Sequence, residues 1–202
     1  MMDEVLAFWF GDEPARDAAS LRKKLQRWYQ GGAALDEEIR QRFGTQVEQA
    51  LAGELDAWAA TPRGRIALIL LLDQFTRNLF RDTPRAFAGD AKAQQLSLEA
   101  LDSVLLYSTE ERQFLIMPLL HSEDLHLQET GVHEVQAHVE AAPEELRPML
   151  AMGIEQSRKY RDVIEKFGRF PHRNAALGRA STPEEEEFLK DWAERQPPSG
   201  MK

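Results

Sequence analysis

The stretch from Ile66 to Arg81 constrains this chain more than any other. Residues 66–72 are apolar throughout, and Gln74, Arg77, Asn78 and Arg81 then follow at helical intervals. At about 100° per residue the four polar side chains fall in one narrow arc, while Leu68, Leu72, Phe75 and Leu79 take the opposite face. Such a segment is a helix with one side sunk in a core. An exposed helix would carry mostly Lys and Glu on its polar side. Gln, Arg and Asn instead orient carboxylates, phosphates and amides through several hydrogen bonds at once.

The rest of the chain reads the same way. Val5 to Phe10 is a short apolar helix closed by Gly11. Arg16 to Gln30 is amphipathic and stops at Gly31 and Gly32. Leu35, Ile39, Phe43, Val47 and Leu51 recur every four residues on another helix. Thr61 and Pro62 suit the N-cap and first turn of the helix running through Arg81. A turn at 82–85 precedes a helix from Asp90 to Asp102, and Thr109 opens the next. Pro118 must kink that helix or restart it. Pro143 opens a helix reaching Phe167, with Gly168 as its stop. Residues 168–180 read as an irregular loop. Thr182 and Glu185 form a T-x-x-E capping box around Pro183, launching a last helix to about Glu194. No strand or hairpin pattern is visible. The expectation is an all-α fold of antiparallel helix hairpins, one domain over residues 1–195, and a frayed tail over 196–202.

Composition narrows the function classes. The chain has 202 residues, 43% of them hydrophobic, which suits a folded core rather than disorder. It has no cysteine, so disulfides, thiol catalysis and cysteine-based metal sites fall away together. The acidic start at Asp3 and Glu4 is unlike a signal peptide, and the run 66–72 is too short to span a bilayer. A soluble, cytoplasmic protein with no membrane partner is expected. The net charge of −9 argues against sequence-independent nucleic-acid binding, which needs a basic surface. That charge is uneven: residues 63–93 hold six basic and three acidic side chains, and 158–180 hold seven and two. Residues 110–147 hold two basic and nine acidic. The basic segments either pair with the acidic one or collect an anion.

Two further polar clusters accompany the opening arc. His121, Asp124 and Gln128 lie at i, i+3 and i+7, the spacing of one helix face. Asp124 could hold an imidazole tautomer, with His121 or Glu123 as general base. The plainer reading packs His121 near the proline and leaves the acids solvated. The third cluster is Arg169, His172, Arg173 and Asn174 around Phe170 and Pro171, followed by Arg179. Arginines fixed by an apolar anchor suit bidentate anion capture. They equally suit helix C-termini, or pairing with Glu123, Asp124 and Asp90.

Other patterns fail on spacing. His133 and His138 are one residue too far apart for a zinc-protease helix. Glu123 and His126 fit the Glu-x-x-His of di-iron bundles, but no second copy exists. His126, Glu129 and His133 share a face and offer at most a weak metal site. No Gly-rich phosphate loop or G-x-S-x-G elbow is present. No metal and no cofactor is expected.

Together these motifs resemble a known family. They are Val5 to Gly11; Leu72 to Phe75 with Arg77, Asn78, Arg81, Pro84 to Ala88 and Asp90; Pro118 with His121 to Leu125 and Gln128; and Gly168 to Asn174 with Leu177, Gly178, Arg179 and Ser181 to Glu185. In this order they are similar to the bacterial domain-of-unknown-function family 924. Thr76 stands where that pattern leads one to expect proline. The resemblance implies a tetratricopeptide-like right-handed superhelix and no known activity. Its motifs coincide with the three polar clusters, which a curved helical scaffold could gather on its concave face.

The expected site therefore gathers Gln74, Arg77, Asn78, Arg81, Asp124, Arg169, His172, Arg173, Asn174 and Arg179 around a small anionic molecule, a phosphate or carboxylate. His121 and Glu123 are its acid/base candidates, and metal-free hydrolysis or proton transfer is the most this chemistry licenses. Two other readings compete. One is a helical interaction module recognising an acidic group of a peptide. The other is a structural ion-pair network with no ligand.

Overall fold

Among the described residues nine helices of eight residues or more carry the architecture, and five of them begin at a residue whose side chain caps the first turn. The computed structural model describes residues 1–195; the expected frayed tail lies outside them. Among the described residues there is no strand. The first three helices are α1 (Met2–Phe10), α2 (Ala18–Gln30) and α3 (Gly32–Leu51). A 3₁₀ turn (Asp56–Ala60) leads to α4 (Pro62–Ile69), a π-helical turn (Leu70–Phe75) and α5 (Thr76–Leu79). After a 3₁₀ turn (Pro84–Phe87) come α6 (Asp90–Leu101), α7 (Thr109–Leu120) and α8 (Leu125–Ala141). The chain finishes with the short α9 (Arg147–Leu150), α10 (Met152–Phe167), a 3₁₀ turn (Pro171–Arg173) and α11 (Pro183–Arg195).

Caps explain most of these boundaries. Thr61 accepts from the Gly64 N–H with Pro62 at the first position. Ser108 and Glu111 close a reciprocal box at α7. Thr182 and Glu185 do the same at α11, at 3.2 and 2.8 Å. Gly168 ends α10 in the left-handed region, φ 66°.

Three expectations need correction. The helix expected from Pro143 to Phe167 is broken: Pro143 sits in a turn, α9 is four residues long, and α10 starts at Met152. Pro118 lies inside the last turn of α7, which runs on to Leu120, and α8 starts at Leu125 under its own cap, Asp124, so the proline restarts no helix. The helix through Arg81 is interrupted by the π turn and ends at Leu79.

The main core gathers Phe8, Trp9, Trp28, Phe43, Phe75 and Phe114, whose rings meet at centroid distances such as 4.8 Å for Trp28 and Phe114. A second apolar cluster joins Ile116, Leu120, Val135, Tyr160, Val163, Ile164 and Phe170. Helix α7 feeds both, with Phe114 and Leu115 in the first and Ile116 and Leu120 in the second.

The π turn and the start of α6 meet closely. Gly89 abuts the π turn so tightly that a Cβ there would lie 2.3 Å from the Leu72 carbonyl oxygen. The Thr76 hydroxyl donates to that same oxygen at 2.8 Å. This contact sets Asp90, the first residue of α6, beside Asp73 and Arg77 of the widened helix.

Candidate functional site

Asp73 is fully buried at the centre of the polar cluster. Its Oδ1 lies 2.9 Å from Arg77 Nη1 and 2.7 Å from His121 Nδ1, and Gln74 Nε2 donates to Oδ2 at 2.6 Å. Burial by itself would raise the pKa of this carboxyl. The neighbouring Arg77 and His121 more than reverse that and hold it well below the usual carboxylate range. An ionised Asp73 accepts from Nδ1–H of a neutral His121, which leaves Nε2 as the imidazole lone pair. Burial holds the His121 pKa below its ordinary value despite Asp73 beside it. Its neutral, proton-accepting form therefore prevails at pH 7.

Arg77 spans two carboxylates. Besides Asp73 it reaches Asp90, Nη2 donating to Oδ2 at 3.0 Å. Arg173 arrives from the loop after α10 and places Nη1 3.6 Å from the same Asp90 oxygen. Its guanidinium lies over the rings of Phe87 and Phe170, 4.8 and 4.5 Å from their centroids. Burial, and then the like charge of Arg77, push the Arg173 pKa down to about 10. Arg77 and Arg173 are each only 6% exposed, and neither Nε has a hydrogen-bond partner. Asp90 Oδ1 is likewise buried without a partner, and burial raises the Asp90 pKa although Arg77 opposes it. His172 stands next to Arg173, stacked on Trp192 with planes 3° apart. Burial first and Arg173 second lower its pKa to about 3.

The anticipated site is thus partly assembled. Gln74, Arg77, His121 and Arg173 come together, and His172 flanks them. Asn78 and Arg81 do not join: both donate to Asp36 of α3. Consecutive residues are about 100° apart on a helix, so one polar arc serves two partners, Arg77 at one edge and Asn78 at the other.

Arg169 pairs with Glu185 at 2.6 Å. Asn174 donates to Ser181 and Glu185. Arg179 grips Glu123 through Nη1 and Nη2 at 2.6 and 2.9 Å, and the Phe170 N–H also donates to Glu123. Both Glu123 oxygens are thus engaged, and the residue anchors the arginine loop.

Asp124 caps α8 through the Leu127 N–H at 3.1 Å and holds no imidazole. The break after Leu120 leaves His121 at the C-terminus of α7 and Asp124 at the N-terminus of α8. Gln128 donates to the Leu120 and Ser122 carbonyls and so fastens that break. His126, Glu129 and His133 are exposed, and among the described residues no group of three His, Asp or Glu side chains is placed to hold a metal ion.

The three polar clusters leave out Asp73, Phe87 and Asp90, the last expected only as an ion-pair partner of the loop arginines, although the two aspartates carry the geometry. The available signal was an aspartate ending an apolar run, four residues before an arginine, which is the spacing of a helical ion pair. Asp36, the partner of Arg81, sits between Leu35 and Ile39 on an otherwise amphipathic helix and gives no comparable signal.

A separate cleft of about 360 Å³ lies between α10 and α11, lined among others by Lys159, Asp162, Lys166, Phe167, Phe188 and Trp192. Through Trp192 it adjoins His172.

Comparison with known proteins places this arrangement. A search of curated proteins finds no match. The solved structure of a protein of unknown function, ATU0120, from Agrobacterium tumefaciens is similar, with TM-score 0.76 and 31% identity. The match covers 94% of this chain and 97% of that one. The family profile described as "Bacterial protein of unknown function (DUF924)" matches residues 5–192, which hold all three polar clusters, and this chain belongs to that family.

Proposed function

We propose that this protein binds a small anion, a phosphate or carboxylate, at Arg77 and Arg173, and that His121 serves there as general base. The observation carrying this reading is that two buried arginines from distant parts of the chain meet on one Asp90 oxygen, next to an imidazole oriented by Asp73. Asp73 fixes the tautomer, so Nε2 takes the proton from a bound substrate or from water, a proton transfer or hydrolysis. Gln74 orients Asp73, and the Glu123–Arg179 pair holds the loop that delivers Arg173. The acidic, cysteine-free composition fits a cytoplasmic protein.

The test is a thermal-shift panel of phosphates and carboxylates on the wild-type chain, Arg173→Lys and Arg173→Ala. At a hundred times its dissociation constant a ligand adds about 2.7 kcal/mol of stability. The expected result is stabilisation that weakens in Arg173→Lys and vanishes in Arg173→Ala. No response to any anion would sink the proposal.

A structural ion-pair network is the second reading, favoured by Arg77 being paired with two carboxylates at 7% side-chain exposure. It requires Arg77 to matter for stability and no anion to matter at all. A third use follows if the stacking of α7 and α10 on α8 extends into a tetratricopeptide-like right-handed superhelix. The same arginines would then face a groove able to take an acidic peptide group.

A further inference from the structure

An ordinary anion site offers only donors, and this cluster offers an acceptor too. Arg77 Nε and Arg173 Nε are buried donors without protein partners, and Asp90 Oδ1 is a buried acceptor without one. The three belong to side chains already linked through Asp90 Oδ2. Buried polar groups require hydrogen bonds, so whatever completes this cluster must both accept from guanidinium and donate to carboxylate.

Charge points the same way. Asp73 and Asp90 face Arg77 and Arg173, two negative against two positive, with His121 and His172 neutral at pH 7. Glu123 is balanced by Arg179. A fully ionised guest would add uncompensated negative charge next to Asp90, lone pair against lone pair. An anion carrying its own O–H or N–H turns that repulsion into a charge-assisted hydrogen bond.

Resting on the anion reading above, we propose that the ligand is an oxyanion that is also a hydrogen-bond donor, such as hydrogen phosphate or a 2-hydroxycarboxylate, and that Asp90 selects it. Asp90 is on this view the specificity-determining residue. It rejects anions that lack a donor, because a site built around an acceptor leaves that acceptor unpaired when the wrong guest binds.

Two matched pairs of probes test this by isothermal titration calorimetry on the full chain at neutral pH: inorganic phosphate against sulfate, and glycolate against acetate. The expected result is at least about a tenfold tighter dissociation constant for the donor-bearing member of one pair or both, the pair concerned naming the headgroup. In Asp90→Asn, whose amide can donate to sulfate or acetate, the preference should shrink to about twofold or less. If that variant does not fold, the wild-type pairs still decide. Equal affinity within both pairs overturns the role of Asp90 and leaves the anion site standing. No binding by any of the four overturns both.

Discussion

Asp73 illustrates how much one side chain can hold. Its carboxylate is the counter-charge of Arg77 and the orienting partner of His121, and Asp73 itself is fully buried. Removing Asp73 leaves Arg77 with Asp90 as its remaining carboxylate and takes away the partner of His121, and the lost charge-assisted hydrogen bonds cost about 1–3 kcal/mol. Asp73→Ala should lose that much in urea unfolding, and a loss below about 0.5 kcal/mol would show that the network contributes little. Arg81 is the contrasting case. Its guanidinium serves Asp36, away from Arg173, so Arg81→Ala should lose about 1–3 kcal/mol from broken charge-assisted hydrogen bonds. It should nevertheless retain any anion-induced rise in melting temperature seen in the wild type. Loss of that response would return Arg81 to the site.

Among the elements, the π turn and the close approach of α6 to it decide where the charges sit. A methyl at residue 89 would collide with backbone, the Leu72 carbonyl, and backbone cannot rotate aside as a side chain can. Gly89→Ala should therefore lose about 1–3 kcal/mol of unfolding free energy, the usual cost of forced overpacking. Full stability would mean that α6 can back away from the turn, and that Asp90 is held less firmly than described. This part of the fold was the least legible beforehand. Periodicity places helical structure from Pro62 onward, because Ile66, Leu72 and Phe75 are core residues, but carries it two residues past its end at Leu79. It assumes 100° per residue, however, and a turn with i→i+5 hydrogen bonds breaks that count exactly where Asp73 lies. Caps were readable at Thr61 and Thr182 because a side-chain oxygen and a proline or glutamate stand at fixed offsets. The convergence of Arg77 and Arg173 was open to question but not to proof, since 96 residues separate them in the chain. The pairing of Arg169 with Glu185 was missed because the capping glutamate already had a sufficient local role.

For the molecule as a whole, buried histidines set an acid limit. His138 is buried with neither ring nitrogen partnered, and burial, with Arg112 nearby, lowers its pKa to about 4. His172 is lowered to about 3. An unfolded histidine titrates near 6.5, so below that pH the unfolded chain binds protons that the native one refuses. The stability is fully present above about pH 6.5 and is lost as pH falls toward the folded values, by on the order of a few kcal/mol. Urea midpoints measured from pH 7.5 to 4.5 should fall before most carboxylates titrate, and His138→Leu should flatten that fall. A flat wild-type profile would count against burial of these rings.

Helix α7 lends its two faces to two apolar clusters, and the polar residues follow the same division. Asp73 and Asp90 stand on elements of the first cluster, while Arg173 adjoins Phe170 of the second. Arg173 reaches that other side through a 3.6 Å contact to Asp90 and through the Phe87 ring, which it shares with Arg77. A molecule seated between the arginines would therefore act as a staple across a seam. Its presence should be felt far from the point of contact, as slower proteolysis of both halves together.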